Sequence, residues 1–178
     1  MRTRSILPVF LAVAALQAAT YSTLSTALKQ LLPAGHKAFK TKFVATDAQA
    51  KALNAFGDGD YLDGDAFDVY YSKDSQGKVS GIAVQLVEVL PKWKSSHSWV
   101  IGVTPDGKLS GVAVLELTDK YTFPLGQAAF LKQFPGKPAA RIGIGKGMDA
   151  ASGASESSQL LASSIRRAAY IAAQAKLP

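Results

Sequence analysis

One stretch of the chain concentrates residues that could bind an anion. Residues 146–158 carry two glycines and four serines, and they run directly into Gln159–Lys176, whose apolar residues recur at helical spacing. The unpaired N–H groups and partial positive charge of a helix N-terminus favour phosphate. The pattern therefore predicts an anion site where this helix begins. Alternatively, Ser155 and Ser158 serve only as helix caps, without a ligand.

The composition excludes several other classes of site. The chain has 178 residues, of which 48% are hydrophobic and 19% charged, as is typical of one globular domain. It has no cysteine, which excludes disulfides, thiolate metal sites and cysteine-ligated clusters. The net charge of +7 favours anionic partners, but the scattered lysines and arginines indicate a solvated basic surface and not a nucleic-acid groove.

Other candidate motifs have simpler interpretations. The acidic segment Asp58–Asp65 lacks the ligand spacing of a calcium loop, so we interpret it as a connection. The glycines of Arg141–Gly147 fit neither a Rossmann fingerprint nor a P-loop, and we expect an extended segment. We expect His36 to be exposed and inert, His97 to be a surface residue and Trp99 to pack in the core. No catalytic triad or carboxylate pair is recognisable.

The N-terminus has the layout of a secretory signal peptide. Two arginines precede the apolar run Ile6–Leu16, and small residues follow it. The run is shorter than the roughly 20 residues of a spanning helix. We expect cleavage after Ala18 or Ala19, with an uncleaved membrane anchor as the alternative. Residues 1–19 would then be the signal peptide, and 20–178 a single exported domain in the periplasm or on the outer face of the cytoplasmic membrane.

The rest of the chain alternates between helical and extended patterns. Helices are predicted at Thr23–Leu32, Ala48–Phe56, Gln127–Phe134 and Gln159–Lys176, and strands at Phe39–Ala45, Ala66–Ser72, Val79–Val89, Trp99–Val103 and Leu109–Leu117. The alternation in Val79–Val89 predicts a half-buried strand. Short connections between strands favour an antiparallel, twisted sheet of about four or more strands covered by helices, which is an α+β fold with a long C-terminal helix.

Four segments, in this order, match motifs of a known family. They are Gly77–Val84, Trp99–Val112, Phe130–Lys137 (Phe-Leu-Lys-Gln-Phe-Pro-Gly-Lys) and Asp149–Ser158 (Asp-Ala-Ala-Ser-Gly-Ala-Ser-Glu-Ser-Ser). Through them the sequence resembles the FMN-binding domain family. That domain occurs in the NqrC- and RnfG-type subunits of ion-pumping redox complexes and in small exported flavoproteins. The last segment is the most specific.

The resemblance implies a cofactor and the residues that hold it. In the family, a separate FAD-dependent flavin transferase esterifies the hydroxyl after Gly-Ala to the phosphate of FMN, so the acceptor here would be Ser155. Ser157 and Ser158 would hold the phosphate, together with N–H groups of the helix. Ser152 would shape the turn, Gly153 would permit close approach or a positive φ, and Ala154 would keep the site uncrowded.

Two departures from the family pattern affect this site. The acceptor is a serine where threonine is usual. The family's acidic loop before the short helix is replaced by Lys120–Gly126, within the predicted loop Thr118–Gly126. Thr122 keeps the residue type of the family as a cofactor-binding residue, and Tyr121 or Phe123 could stack on the flavin. Asp149 would form the turn or be recognised by the transferase.

The resemblance implies an exported FMN protein that carries electrons, and the lack of recognisable acid/base residues favours this carrier over a stand-alone oxidoreductase. Its partners would be the flavin transferase and membrane or periplasmic redox proteins, with no nucleic acid. Two alternatives stay open. One is a noncovalent flavin-binding sensor or storage module, and the other is a ligand-free adaptor domain of the envelope.

Overall fold

The computed structural model describes residues 19–57, 59–90 and 94–178. Six strands form one antiparallel sheet in the order β1-β6-β5-β4-β3-β2. The strands are β1 (Ala19–Thr20), β2 (Lys37–Val44), β3 (Ala66–Lys73), β4 (Val79–Leu90), β5 (Ser95–Val103) and β6 (Leu109–Leu117). With the helices described next, this sheet confirms the predicted α+β class.

Within the described residues, four helices accompany the sheet. They are α1 (Leu24–Leu31), α2 (Asp47–Asn54), α3 (Ala128–Leu131) and α4 (Ser155–Gln174). The side chain of Thr23 caps α1, and Thr46 forms a capping box with Gln49 at the start of α2, so both helices begin where their hydroxyl residues predict. Short 3-10 segments span Lys120–Gly126 and Ala139–Arg141, and β7 (Gly143–Ile144) pairs with β8 (Gly147–Met148) outside the main sheet.

The larger core lies between the sheet and α4. Trp99 on β5 and Leu160 and Ile165 on α4 are completely buried there, and α2 adds Leu53 from the side. Burying a side chain of this size contributes about 1.5–3 kcal/mol. The N-terminal half of α4 is therefore firmly seated on the sheet.

The opposite face of the sheet is covered by α1, which packs Ala27, Leu31 and Leu32 against it. Small residues on this face let the helix approach closely. A Cβ added at Gly81 would lie 2.6 Å from the Cδ of Pro33, and one at Gly111 would lie 3.0 Å from a methyl carbon of Leu31. The prediction of a half-buried strand was therefore wrong for the centre of β4, which is buried on both faces because helices cover both.

A buried ionic network ties α4 to β4 and to the end of α2. Arg167 Nη1 donates to Glu88 Oε1 at 3.0 Å, and the two side chains are 0% and 5% exposed. The same carboxylate accepts hydrogen bonds from Tyr61 Oη at 2.9 Å and Ser164 Oγ at 2.8 Å. Arg167 also donates to the backbone carbonyls of Leu53 and Gly57. Burial and the charge of Glu88 raise the pKa of Tyr61.

Several predicted boundaries differ from the observed ones. The C-terminal helix begins four residues earlier than predicted, at Ser155, and β5 begins at Ser95 where the pattern gave Trp99. The predicted helix Gln127–Phe134 contains only the four α-helical residues of α3, because Pro135 and Gly136 follow so closely. The predicted loop Thr118–Gly126 folds into a 3-10 segment. The proposed signal peptide lies outside the described residues except for Ala19.

Candidate functional site

The turn into α4 is built by its own backbone. Gly153 has φ +75°, the left-handed conformation that glycine adopts without cost, so of its two implied roles the positive φ is the one observed. Ala154 is the N-cap residue, and its side chain makes no capping hydrogen bond. The serine hydroxyls therefore do not cap the helix in the standard way. The backbone N–H groups at the start of an α-helix lack intrahelical acceptors, and those of Ser155 and Ser157 belong to this first turn.

Ser158 holds the turn closed from inside. Its hydroxyl donates to the carbonyl of Ala154 at 2.8 Å and accepts from the N–H of Ala151 at 3.0 Å, and the side chain is fully buried. Ser152 is exposed on the turn. Neither serine lines the cavity described below, so the structure separates these two predicted residues from the rest.

Residues of the Phe-Leu-Lys-Gln-Phe-Pro-Gly-Lys motif brace the approach to this turn. Gln133 Oε1 accepts from the backbone N–H of Asp149 at 2.7 Å, and Lys137 Nζ donates to the carbonyl of Gly147 at 2.6 Å. Phe134 is completely buried beneath them. The sequence alone did not predict a role for Gln133 or Lys137. Their positions within the motif Phe130–Lys137, which precedes the turn into α4, were the signal that could have indicated one.

A cavity of about 400 Å³ opens at the start of α4. It is lined by Asp119, Tyr121, Thr122, Gly153, Ala154, Ser155, Glu156 and Ser157. Five of the seven predicted cofactor-binding residues are therefore brought together around it. Ser155, the first residue of the helix, is exposed and reachable from solvent.

The 3-10 segment forms the wall of the cavity that faces α4. The backbone N–H of Tyr121 donates to Asp119 Oδ1 at 2.9 Å, and the buried hydroxyl of Thr122 donates to the carbonyl of Asp119. Thr122 thus fixes the shape of this wall. Tyr121 and Phe123 are 66% and 55% exposed, so both rings are accessible to a ligand.

A buried histidine lies directly behind the site. His97 Nε2 lies 3.1 Å from Ser157 Oγ, and both side chains are buried. The prediction of a surface histidine was wrong, because β5 begins two residues before His97 and places it beneath α4. Burial lowers the pKa of His97 from its ordinary value of 6.5, against the raising effects of the Ser96 backbone and the Asp119 carboxylate. His36 is exposed, as predicted.

The arrangement can hold an anion next to an exposed hydroxyl. The dipole and N–H groups of α4 favour negative charge beside Ser155 and Ser157. Among residues 19–57, 59–90 and 94–178 no cluster of three or more histidines and carboxylates could hold a metal ion. Within the same ranges, no helix has both the length and the apolar character needed to cross a bilayer.

Comparisons with known proteins give one solved structure. Neither a family model nor a curated protein matches the chain. The crystal structure of Shewanella oneidensis NqrC aligns with 82% of this chain and 70% of its own, at 16% sequence identity and a TM-score of 0.48.

Proposed function

We propose that this chain is an exported flavoprotein that carries electrons, with FMN esterified through its phosphate to Ser155. The observation that carries the proposal is the position of this hydroxyl. It is exposed at the first residue of α4, on the wall of a cavity of about 400 Å³, at the positive end of the helix dipole. In the family that the sequence resembles, the acceptor hydroxyl lies at this position of the signature.

The start of α4 suits a phosphate in hydrogen bonding, whereas the described side chains that line the cavity include the carboxylates of Asp119 and Glu156 and no basic residue. Phosphate oxygens accept hydrogen bonds, and the first turn of α4 offers backbone N–H donors with a partial positive charge. Ser157 adds a hydroxyl on the same wall, and Gly153 carries no side chain that would narrow the entrance. The resemblance and the hydrogen-bond donors of α4 both support a phosphate at this end of the helix.

The site also has room for an aromatic ring system. Small-molecule sites in proteins commonly measure about 300–1,000 Å³. The ring of Tyr121 lines the cavity, and exposed aromatic rings of this kind stack on flat ligands. When bound, FMN would supply the redox chemistry, and the protein would supply attachment, orientation and an environment that tunes the potential.

Export and docking belong to the same proposal. The basic start and short apolar run of residues 1–19 favour export. Cleavage would remove Arg2 and Arg4 from the net charge of +7, and the remaining positive charge favours electrostatic steering toward an acidic redox partner. The flavin transferase that loads the family would meet Ser155 from solvent, since this residue is exposed.

The visible spectrum of the exported protein, taken after denaturation and desalting, tests the proposal. We expect the flavin absorbance to stay with the polypeptide. Yellow protein that loses its colour on acid precipitation would instead support the noncovalent alternative. Colourless protein that stays colourless after FMN is added would support the ligand-free alternative.

A further inference from the structure

The His97–Ser157 pair places a titratable ring behind the proposed phosphate site. The imidazole is completely buried between β5 and α4, and its Nε2 lies 3.1 Å from Ser157 Oγ. Ser157 is only 5% exposed, yet it lines the cavity. Ser157 therefore lies between the buried ring and any anion bound in the cavity.

The direction of this hydrogen bond decides what Ser157 offers to the cavity. A serine hydroxyl has one proton to donate and two lone pairs to accept. If Nε2 of His97 is unprotonated, it takes the Ser157 proton, and the cavity faces only lone pairs, which repel a phosphate oxygen. If Nε2 carries a proton, it donates to Ser157, whose own proton then points to the anion.

We propose that His97 is a positioning residue that controls, through its Nε2 proton, whether Ser157 donates a hydrogen bond to the phosphate in the cavity. The inference rests on the proposed function, which names FMN as the source of the phosphate. His97 touches neither the flavin nor the phosphate in this account and acts only through Ser157.

The charges around His97 allow this control. Its neighbour in the register on β4 is Glu88, which is bound by Arg167 of α4, and its neighbour on β6 is the apolar Leu117. Asp119, beyond β6, favours the charged ring, and burial disfavours it. The negative charge of an anion at the start of α4 stabilises the imidazolium form, in which both ring nitrogens of His97 carry protons, so anion binding raises the pKa of His97. By linkage, the anion then binds more tightly as the pH falls, tenfold for each unit of pKa change.

Imidazole NMR of the flavin-free protein tests the inference without requiring flavin. Sulfate is the probe, because it resembles phosphate and does not titrate between about pH 4.5 and 8, the range in which a histidine ionises. We expect sulfate to raise the titration midpoint of His97. In Ser157→Ala the sulfate-induced shift should disappear, although the ring stays buried.

The flavin-loaded protein provides the second measurement. A phosphodiester does not ionise over the same pH range, so its ³¹P resonance should move only if a neighbouring group titrates. We expect the resonance to titrate together with His97 and to become independent of pH in His97→Gln, whose amide can donate to Ser157 at every pH.

The outcomes separate this inference from the proposed function. A His97 midpoint that ignores sulfate, or a ³¹P resonance that titrates unchanged in His97→Gln, would overturn the role of His97. A sulfate-induced shift in a protein that never carries flavin would support the role of His97 and would refute the proposed cofactor.

Discussion

Replacing Arg167 by methionine tests the buried network that seats α4. Methionine has a similar length, but it removes the ion pair with Glu88 and the two donors to the carbonyls of Leu53 and Gly57. The Glu88 carboxylate, whose side chain is only 5% exposed, would then be buried without a cationic partner. Removing one partner of a buried ion pair costs about 3–5 kcal/mol, a large part of the roughly 5–15 kcal/mol that stabilises a domain.

Urea unfolding followed by circular dichroism measures this cost. With a slope of roughly 2 kcal/mol per molar urea, a loss of about 4 kcal/mol lowers the midpoint by about 2 M. The double variant Glu88→Gln/Arg167→Met removes the uncompensated charge, so we expect it to be more stable than Arg167→Met alone. The exposed pair Lys51–Asp47 provides the control, because Lys51→Met should change stability by less than about 1 kcal/mol.

A loss below about 1 kcal/mol in Arg167→Met would refute the reasoning, since an uncompensated buried charge costs well above that. A double variant that is no more stable than the single one would also refute it, because the unpaired carboxylate would then not be the source of the cost.

Three further predictions concern stability and the turn into α4. Because burial lowers the pKa of His97, its folded state resists protonation. The contribution of His97 to the free energy of unfolding should therefore be fully present above pH 6.5. As the pH falls from 6.5 to the lower pKa of the folded state, this contribution should be lost by at most about 1.4 kcal/mol per pH unit, as measured by urea unfolding. Gly81→Ala should cost about 1–3 kcal/mol in thermal unfolding, because the added Cβ meets Pro33, and Pro33→Ala should restore part of the loss. Gln133→Ala removes the acceptor of the Asp149 N–H, so hydrogen exchange should quicken there with little change in global stability.

Each of these has a result that would contradict it. The pH-dependent loss of stability should be absent in His97→Phe and unchanged in His36→Ala. A loss that persists in His97→Phe and disappears in His36→Ala would show that His97 is not its source. If Gly81→Ala unfolds like the wild type, α1 does not pack as closely as the structure indicates. Equal exchange in Gln133→Ala and wild type would show that the amide does not brace the turn.

The helices and strands were predicted from the sequence more reliably than the packing around them. Each predicted strand and helix has an observed counterpart, because alternation and helical spacing record which side of an element is apolar. The second buried face of the sheet was missed. Gly81, Gly102 and Gly111 have no side chain to reveal that a helix packs against them.

The site was predicted in part for a similar reason. The signature placed Ser155, Gly153 and Ala154 beside one another because they are adjacent in the chain. His97 is 60 residues from Ser157, and Glu88 is 79 residues from Arg167, so neither contact leaves a local pattern. Pairs of this kind depend on which strands are neighbours, which short-range spacing does not specify.

The intact mass of the protein coexpressed with a flavin transferase tests the central claim most directly. We predict an added mass of FMN less one water on the mature chain, retained in Ser75→Ala, a matched exposed serine far from the site in sequence, and absent in Ser155→Ala. An unmodified mass in the wild-type protein, or an adduct that persists in Ser155→Ala, would contradict the assignment of Ser155 as the attachment site.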